Sequence, residues 1–298
     1  MGKSKSVLLS LFGLFLVSRP AWAWFNEGHE IVAVIAADGL TPTARSHVAQ
    51  ILGVPADTDS VEKAMAAASI RPDTEFREED RATAPWHYID ICLQDGKQDL
   101  PVRCPQGNCV TAKIDEYARR LRDGNYDKWG AAGDLAFLIH FVGDIHQPLH
   151  AATNADRGGT CQRVNVEPVE ENLHYAWDDA VVAVLEKQLE TDQPKVTARK
   201  LEALYPAASD LSTLKPGESE QIAWESHQLA ESDVYRPLGI PEKACNLDSC
   251  DPATRTPVTL SPAYMEHEAP VAGRQLTKAG HRLAALLIQI WSSAGATQ

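Results

Sequence analysis

The chain has 298 residues, of which 28 are basic and 41 acidic, and its formal net charge at pH 7 is −13. This length is sufficient to bury one sizeable core. The acidic balance excludes a protein that holds a polyanion through a broad basic surface. If nucleic acid is the substrate, the attraction must therefore be concentrated at a local cationic cluster, and short or single-stranded segments are favoured over duplex.

The N-terminal segment has the pattern of a cleavable signal peptide. Two lysines precede an apolar run over residues 7–17, and residues 21–23 form an Ala-x-Ala processing site. The run is shorter than the about 18 apolar residues that a spanning helix needs, which disfavours the alternative of an uncleaved anchor. We therefore predict a signal peptide at 1–23 and a secreted or periplasmic protein that begins at Trp24 and has no membrane segment.

Processing would make the exported chain more acidic. The leader contains three of the 28 basic residues and none of the 41 acidic ones, so 25 basic and 41 acidic residues remain, with a net charge of −16. The sequence Asn-x-Ser/Thr does not occur. Its absence favours a bacterial periplasm or culture medium over a eukaryotic secretory route.

Six cysteines in an exported chain are expected to form three disulfides. Short spacings predict two local bridges and leave the third by elimination: Cys104–Cys109, Cys245–Cys250 and Cys92–Cys161. Six cysteines allow 15 pairings, so sequence does not decide among them. Zinc–thiolate ligation is the alternative, and it is disfavoured because no Cys-x-x-Cys motif occurs.

Helical periodicity dominates the organisation of the chain. Helices are predicted over 29–40, 42–52, 59–70, 111–123, 131–147, 173–190, 195–209, 218–232 and 263–294. Loops rich in Pro and Gly lie between them at 92–110, 151–172 and 235–262, and residues 163–167 form the one fair strand pattern. We predict one all-α domain over 24–298, mainly helical, with long loops tied by disulfides.

Two predicted helices carry the same pair of potential metal ligands one turn apart, His140 with Asp144 and His174 with Asp178. The first of these helices is apolar on most sides and is therefore expected to be buried. A buried carboxylate is costly unless it is paired or bound to a metal. Neutral imidazole and carboxylate are ligands that zinc accepts, so both helices indicate zinc binding.

Each pair alone also fits a hydrogen-bonded core pair or a solvated helix face. Further histidines make metal binding the better interpretation, because so many buried polar groups are hard to satisfy by hydrogen bonds alone. His29 follows the new N-terminus, His87 lies in a Trp-His-Tyr-Ile-Asp segment, and Pro148 ends a helix just before His150. No metal role is predicted for the other five histidines: His47, His146, His227, His267 and His281. Of these, His146 is expected to face solvent.

Five motifs then occur in a fixed order along the chain. They are Trp24-x-x-x-Gly-His29, Arg71-Pro-Asp73, Trp86-His87-Tyr-Ile-Asp90, His140-Phe-Val-Gly-Asp144-x-His-Gln-Pro-Leu-His150 and Asn172-Leu-His174-x-x-Trp177-Asp178. Together they resemble the zinc-dependent S1/P1 nucleases, the single-strand-preferring type I nucleases of fungi, plants and bacteria. The resemblance implies a helical fold similar to that of phospholipase C and P1 nuclease.

The resemblance implies three zinc ions. The implied ligand sets are Asp73, His87, His140 and Asp144 for the first ion, His150, His174 and Asp178 for the second, and His29, Asp144 and the α-amino nitrogen and carbonyl oxygen of Trp24 for the third. Asp73 would also accept a hydrogen bond from the attacking water, as a catalytic residue. The family commonly has an Arg three residues after this Asp, but Phe76 stands there. Arg77 and Arg71 are the nearby substitutes, and a surface charge without a catalytic role is the alternative for each.

The implied activity is hydrolysis of single-stranded DNA and RNA to 5′-phosphorylated products and mononucleotides, with removal of terminal 3′-phosphates as a further activity. Tyr88 would stack on a base and Asp90 would accept a hydrogen bond from its edge. A packed core tyrosine is the alternative for Tyr88. The family's Gly-Gly-Asn pattern is Gly158-Gly159-Thr160 here, and the chain is expected to be a monomer.

Two other functions fit part of this pattern. A zinc-dependent phospholipase C would share the N-terminal Trp ligand and the three-metal cluster, and Tyr88 with Asp90 favours a nuclease over it. A periplasmic protein that binds zinc without catalysis is the second alternative. Three protein ligands on the second ion would leave an open position, which is typical of catalytic zinc sites and disfavours that alternative.

Overall fold

The computed structural model describes residues 24–206, 217–245, 250 and 255–292. The predicted signal peptide at 1–23 lies outside these residues, so its boundary stays a prediction. The last residues of the helices predicted over 195–209 and 263–294 also lie outside them.

The described residues form a mainly helical domain. The α-helices are α1 (Asn26–Gly39), α2 (Pro42–Leu52), α3 (Thr58–Ser69), α4 (Glu75–Glu79), α5 (Leu100–Arg103), α6 (Val110–Asp123), α7 (Gly130–Asp144), α8 (Leu173–Tyr175), α9 (Val181–Gln188), α10 (Pro194–Leu204), α11 (Ser219–Leu229) and α12 (Pro262–Ser292). Short 3₁₀ helices occupy Arg81–His87, Lys97–Asp99, Pro105–Gly107 and Pro148–Ala151, and π-helical turns occupy Ala176–Ala180 and Ala230–Tyr235. The predicted all-α class is confirmed.

Local signals explain several of the helix ends. The Thr41 side chain accepts a hydrogen bond from Ala44 N at 3.3 Å, and Pro42 occupies the first helical position of α2, as its sequence predicts. Gly53 ends the same helix in the left-handed region, with φ of 70°. Asp57 caps α3 by accepting from Ser60 N at 2.9 Å.

The two helices with paired ligands are more irregular than their periodicity predicts. The helix predicted over 131–147 ends at Asp144, and a tight turn leads into the 3₁₀ helix that begins at Pro148. The helix predicted over 173–190 is interrupted by the π-helical turn Ala176–Ala180, which contains Asp178. Such turns are frequent at functional sites, because the extra residue redirects the side chains that follow.

Helix α7 lies at the centre of the domain. It packs against α1, α3, α6 and α12, and every residue from Gly133 to Asp144 is buried. Its apolar sequence on all sides is thus explained by its position. Within the described part of the chain, no helix combines the length and the apolarity that crossing a bilayer requires.

A small sheet lies beside the helices, with the strand order β2-β1-β3. The predicted strand is β1 (Arg163–Val166), which pairs antiparallel with β2 (Val169–Asn172) and parallel with β3 (Val258–Thr259). Sequence analysis did not predict β2 or β3. The first lacks an apolar alternation because its residues are exposed or half-buried, and the second has only two residues.

The structure contains three disulfides, and two of the predicted pairings are wrong. Cys104 is bonded to Cys109, the pairing that their short spacing predicts. The other two bridges are long-range, Cys92–Cys245 and Cys161–Cys250, with Cα–Cα distances of 6.0 and 5.5 Å. These replace the predicted Cys245–Cys250 and Cys92–Cys161 pairs.

The crossing of two loops explains these partners. Asn154 accepts a hydrogen bond from Lys243 N at 2.6 Å and donates to Pro241 O at 3.0 Å. Gln162 donates to Thr256 O at 3.0 Å. Residues 241–243 and 255–256 therefore lie against the loop at 153–162, where Cys245 and Cys250 meet different partners.

Candidate metal centre

The nine predicted ligands converge beside α7 from distant parts of the chain. All nine residues are buried: Trp24, His29, Asp73, His87, His140, Asp144, His150, His174 and Asp178. Within 4.8 Å of one another, ligand atoms form three groups, namely His29-Asp73-His140, His87-His140-Asp144 and His150-His174-Asp178. Helix α7 contributes two of these side chains, and loops or short helical turns contribute most of the others.

The ligands predicted for the first ion surround the acceptor nitrogen of His140. His140 Nδ1 donates to Ser69 O at 2.7 Å, so Nε2 carries the lone pair. This Nε2 lies 3.3 Å from Asp144 Oδ2 and 3.5 Å from Asp73 Oδ2. His87 Nδ1 approaches the same place, at 3.0 Å from both His140 Nε2 and Asp144 Oδ2. A cation between these atoms would be coordinated by the lone pair of His140 Nε2, by His87 Nδ1 in the tautomer with its proton on Nε2, and by the carboxylate oxygens.

The ligands predicted for the second ion show a similar arrangement. His150 Nδ1 donates to His87 O at 2.7 Å and His174 Nδ1 donates to Gly158 O at 2.6 Å. Both Nε2 atoms are therefore acceptors, yet they face each other at 3.0 Å. Asp178 Oδ2 lies 3.3 Å from His174 Nε2. This donor-free set of two imidazoles and one carboxylate fits a zinc ion.

Surrounding groups donate hydrogen bonds to only some of the carboxylate oxygens. Asp178 Oδ1 accepts from Gln147 Nε2 at 2.6 Å and from Trp24 N at 3.2 Å. Among the described residues, Asp178 Oδ2 and Asp144 Oδ1 are buried and accept no hydrogen bond. Buried anionic oxygens without donors are costly, so these two atoms also fit metal ligation.

The predicted third site lies where α1 begins. His29 Nε2 is 3.4 Å from Asp144 Oδ1, and the His29 ring stacks on His140 with centroids 3.8 Å apart. The Trp24 ring is fully buried and donates from Nε1 to Gly143 O at 3.0 Å. Gly143 is required here because an added Cβ would lie 2.8 Å from His29 Nδ1. In the full-length chain the Trp24 nitrogen belongs to a peptide group, and it can ligate a metal only as a free amine.

Burial sets the protonation of the metal-free cluster. Desolvation lowers the pKa of His87, His140 and His150 well below the usual range for histidine, and lowers that of His174 to about 4. These imidazoles are therefore neutral, which is the ligand form. Desolvation also raises the pKa of the Asp144 and Asp178 carboxyls well above 3.8. A bound cation would favour their ionised forms.

A cavity of about 350 Å³ opens over the cluster. Ligands predicted for the first and second ions line this cavity, and its lining includes Asp73, His87, His150, His174, Arg77, Tyr88, Asp90 and Arg157. Both predicted ion sites therefore open to a space that could admit a phosphate group and part of a nucleotide.

Tyr88 and Asp90 alternate along the chain with two residues of the core. Ile89 and Ile91 are buried in the core, whereas Tyr88 is 39% exposed and lines the cavity together with Asp90. The alternative of a packed core tyrosine is therefore wrong.

The structure distinguishes the two candidate arginines. Arg77 lines the cavity and donates from Nη1 to Asp73 Oδ1 at 3.0 Å. Arg71 instead pairs with the exposed Glu75 and lies over the Phe76 ring, outside the residues that line the cavity. Phe76 is 3% exposed and packs with Phe137, so it belongs to the core.

The solvent-facing position predicted for His146 is wrong. His146 is fully buried; its Nδ1 donates to Val142 O at 2.7 Å and its Nε2 accepts from Arg282 Nη1 at 3.1 Å. Helix α7 ends just before this residue, and the turn that follows packs against α12. The four other histidines without a predicted metal role belong to none of the three ligand groups: His47, His227, His267 and His281.

Sequence analysis missed residues that hold the ligands in place. Gln147, which binds Asp178, and the Gly158 carbonyl, which binds His174, are the main examples. Gln147 lies in the His-Gln-Pro-Leu-His segment, three residues from both Asp144 and His150, and Gly158 lies in the Gly-Gly segment. A polar side chain between two predicted ligands was the available signal for Gln147, whereas no side-chain pattern reveals a backbone acceptor.

Comparisons with known proteins agree with this geometry. The family model described as S1/P1 Nuclease matches residues 24–292. Endonuclease 4 of Arabidopsis thaliana is 31% identical over 288 residues, which cover 92% of this chain and 91% of the relative. Nuclease S1 of Aspergillus oryzae is 27% identical over 288 residues, covering 91% and 93%, and nuclease P1 of Penicillium citrinum is 30% identical over 162 residues, covering 52% and 57%. The chain therefore belongs to the S1/P1 nuclease family, zinc hydrolases that act on nucleic acid and share a phospholipase C-like all-α fold.

Proposed function

We propose that this chain is an exported zinc-dependent nuclease that hydrolyses single-stranded DNA and RNA to 5′-phosphorylated products and also removes terminal 3′-phosphates. The observation that carries the proposal is the pair of acceptor nitrogens on His150 and His174, which face each other at 3.0 Å at the base of the cavity. The same cavity presents Arg77 for a phosphate and Tyr88 for a base.

The ligand groups would hold three zinc ions, as in the sets derived from the family motifs. Asp73, His87, His140 and Asp144 would bind the first ion, His150, His174 and Asp178 the second, and Trp24, His29 and Asp144 the third. Bound zinc supplies Lewis acidity toward phosphoryl oxygens and lowers the pKa of water to about 7. The second set has only three protein ligands, which is typical of a catalytic zinc site.

The chain's own groups would orient the reactants. Asp73 lies on the cavity wall, where its carboxylate would accept a hydrogen bond from the attacking water. Arg77 holds a positive charge beside it, at 3.0 Å from Asp73 Oδ1. A guanidinium in this place would stabilise the negative charge that develops on the phosphoryl oxygens in the transition state.

Tyr88 and Asp90 would select single strands. An exposed aromatic ring on the cavity wall can stack on an unpaired base, whereas a base within a duplex is covered by its neighbours. The strongly acidic chain disfavours a long duplex contact for electrostatic reasons. Stacking depends little on base identity, so both DNA and RNA are expected as substrates.

Export and processing belong to the same proposal. The segment 1–23 has a signal-peptide pattern, and the match to the family model begins at Trp24. The Trp24 nitrogen lies 3.2 Å from Asp178 Oδ1, close to the ligand cluster. Cleavage after Ala23 would convert this peptide nitrogen into an amine that can bind zinc. N-terminal sequencing of the exported protein tests the cleavage site.

The central experiment measures zinc content and hydrolysis of heat-denatured DNA with the mature protein. We expect activity to disappear after chelation and to return with zinc, and the His174→Ala variant to lose one zinc and most activity. His267→Ala is the matched control, because His267 is exposed and lies outside the ligand groups. An enzyme that remains inactive after zinc is restored would contradict the proposal.

Two further substrates separate the alternative functions. Hydrolysis of phosphatidylcholine in preference to denatured DNA would indicate a phospholipase C. Zinc binding without hydrolysis of bis-p-nitrophenyl phosphate would indicate a zinc-binding protein that is not an enzyme. Duplex DNA, assayed beside the denatured form, tests the preference for single strands.

A further inference from the structure

The loop that supports His174 has an unusual backbone. Ala155 and Arg157 have φ of 53° and 55°, and the following Gly158 and Gly159 have φ of 59° and 83°. The left-handed region is unfavourable for residues with a Cβ, so Ala155 and Arg157 are held there by the surrounding structure.

Asp156 lies at the centre of this loop and is fully buried. Its Oδ1 accepts from Asn154 N and from Gly159 N, each at 3.0 Å. The Tyr235 hydroxyl contacts both carboxylate oxygens, at 3.0 and 3.1 Å. One carboxylate thus binds the backbone on both sides of the left-handed residues, and hydrogen bonds to an ionised acceptor are stronger than neutral ones.

A single peptide group connects Asp156 to the zinc ligand His174. The Gly158 carbonyl accepts from His174 Nδ1 at 2.6 Å, and the N–H of the same peptide group, on Gly159, donates to Asp156 Oδ1 at 3.0 Å. Because a trans peptide is planar, its C=O and N–H point in opposite directions, so fixing one end fixes the other. An added Cβ on Gly158 would lie 2.4 Å from Leu149 O, so the peptide can approach this closely only with glycine.

The negative charge of Asp156 also acts along this connection. A carboxylate that accepts from a peptide N–H polarises the peptide and strengthens its carbonyl as an acceptor. The stronger carbonyl holds the proton on His174 Nδ1 and leaves the lone pair on Nε2. Carboxylates that bind a metal-ligating histidine directly have the same effect on tautomer and basicity.

We propose that Asp156 is a positioning residue for the second zinc ion, acting on His174 through the Gly158–Gly159 peptide group. This inference rests on the proposed function, because it requires zinc on His150, His174 and Asp178. It adds a carboxylate that touches neither metal nor substrate and lies outside the ligand motifs.

The test compares the zinc-loaded mature protein with its Asp156→Asn variant. Asn retains the size of Asp and can still accept from Gly159 N, but it removes the charge. The matched control is Asp95→Asn, since Asp95 also accepts from a loop backbone nitrogen, Cys92 N at 2.9 Å, and lies outside the ligand groups and the cavity lining. We expect Asp156→Asn to weaken zinc binding at one site by about 10- to 100-fold, and Asp95→Asn to leave zinc affinity unchanged.

A double-variant comparison assigns the weakened site. His150→Ala should remove the second zinc ion, and adding Asp156→Asn to it should then cost no further zinc. Equal weakening of all zinc sites, in parallel with a lower unfolding temperature, would show a merely structural role and would overturn the inference. Full zinc affinity in Asp156→Asn would overturn it as well.

A measurement on the unmodified protein is independent of whether the variants fold. Nitrogen-15 NMR of the zinc-loaded enzyme should show His174 with its proton on Nδ1 and the metal on Nε2. A proton on Nε2 would overturn the inference. If the unmodified protein binds zinc and cleaves DNA while these tests fail, the inference alone is wrong; if it binds no zinc, the proposed function fails with it.

Discussion

Arg77 donates to Asp73 at 3.0 Å on the cavity wall, whereas Arg71, six residues earlier, pairs with Glu75 at 2.9 Å outside the cavity lining. Each arginine forms an ion pair with a carboxylate four residues away, so the two differ mainly in their position relative to the cavity. We expect Arg77→Ala to lower kcat on single-stranded DNA by about 10²- to 10³-fold, because a positive charge next to the reacting phosphate is lost.

Arg71→Ala is the control, with kcat expected within about 3-fold of the unmodified enzyme, since half-exposed ion pairs contribute only ~0–1 kcal/mol to stability. Steady-state kinetics with zinc content measured in parallel distinguish a catalytic loss from a metal loss. Similar kcat values for the two variants would show that Arg77 does not act on the phosphate.

Tyr88 offers a test of base stacking. Tyr88→Ala should raise KM or Kd for oligonucleotides by about 10-fold, because stacking contributes roughly 1–3 kcal/mol per base. Tyr88→Phe should retain affinity, since the ring and not the hydroxyl provides the stacking surface. Tyr126 is similarly exposed, at 43%, and lies outside the cavity lining, so Tyr126→Ala controls for loss of a surface aromatic. Unchanged affinity in Tyr88→Ala with normal zinc content would remove Tyr88 from the binding site.

A free amino group at Trp24 should be required for binding of one of the three zinc ions. A protein with an additional Met before Trp24 keeps a peptide nitrogen there, which can donate to Asp178 but cannot bind zinc. We expect this form to contain one zinc ion fewer than protein that begins at Trp24, measured by elemental analysis. A form with one additional residue at the C-terminus serves as the control. Equal zinc content and activity in all forms would refute a terminal ligand.

Zinc affinity should increase with pH. Burial raises the pKa of Asp144 and Asp178 well above 3.8, so zinc must displace protons from them, and protons compete more strongly as pH falls. Desolvation lowers the pKa of His174 to about 4, so this imidazole releases no proton on binding near neutral pH. Each displaced proton makes the apparent Kd rise by about 10-fold per pH unit below the relevant pKa.

Asp178→Asn tests the source of these protons. This variant should bind zinc more weakly and should show a pH dependence reduced by about one proton, as measured by titration against a competing chelator. An unchanged pH slope would mean that Asp178 is already ionised before zinc binds.

Asp134 should make folding stability depend on pH. Burial raises its pKa to about 7 in the folded protein, compared with about 3.9 in an unfolded chain. The folded state therefore binds more protons in this window, so its contribution to stability is complete below about pH 4 and is lost as pH rises through about 7. The Asn side chain of Asp134→Asn can still accept a hydrogen bond from Asp127 N. At pH 8 this variant should be more stable than the unmodified protein by roughly 1–2 kcal/mol, after allowance for solvent screening. At pH 4 the two proteins should be equally stable.

Denaturant unfolding of zinc-free protein from pH 4 to 8 measures the difference in stability between Asp134→Asn and the unmodified protein. The other titrating groups are common to both proteins, so their contributions cancel in this difference. Asp57→Asn is the control. The backbone hydrogen bond from Ser60 lowers the pKa of Asp57 below 3.8, so its contribution to stability is lost only below about pH 4, and the difference between Asp57→Asn and the unmodified protein should stay constant from pH 4 to 8. A variant difference at Asp134 that does not change with pH would contradict the expectation.

Local sequence signals were sufficient to predict most helices and the two i, i+4 ligand pairs, whereas the full ligand sets came from the family resemblance. The cap at Thr41, the apolar faces of α7 and the i, i+4 spacing of His140 and Asp144 each depend on residues within a few turns of one another. The irregular turn around Asp178 was not predictable, because it places one additional residue in a helix whose periodicity is otherwise intact.

The sequence by itself therefore determined the helical class, the family and which side chains could bind zinc. Only the tertiary structure decided which cysteines are bonded, that Arg77 rather than Arg71 faces the cavity, that His146 is buried, and that Asp156 reaches His174 through a peptide group. The physical reason is the distance along the chain between the interacting residues. Capping and periodicity act between neighbours along the chain, whereas each of these relationships depends on how separate helices and loops pack together in space.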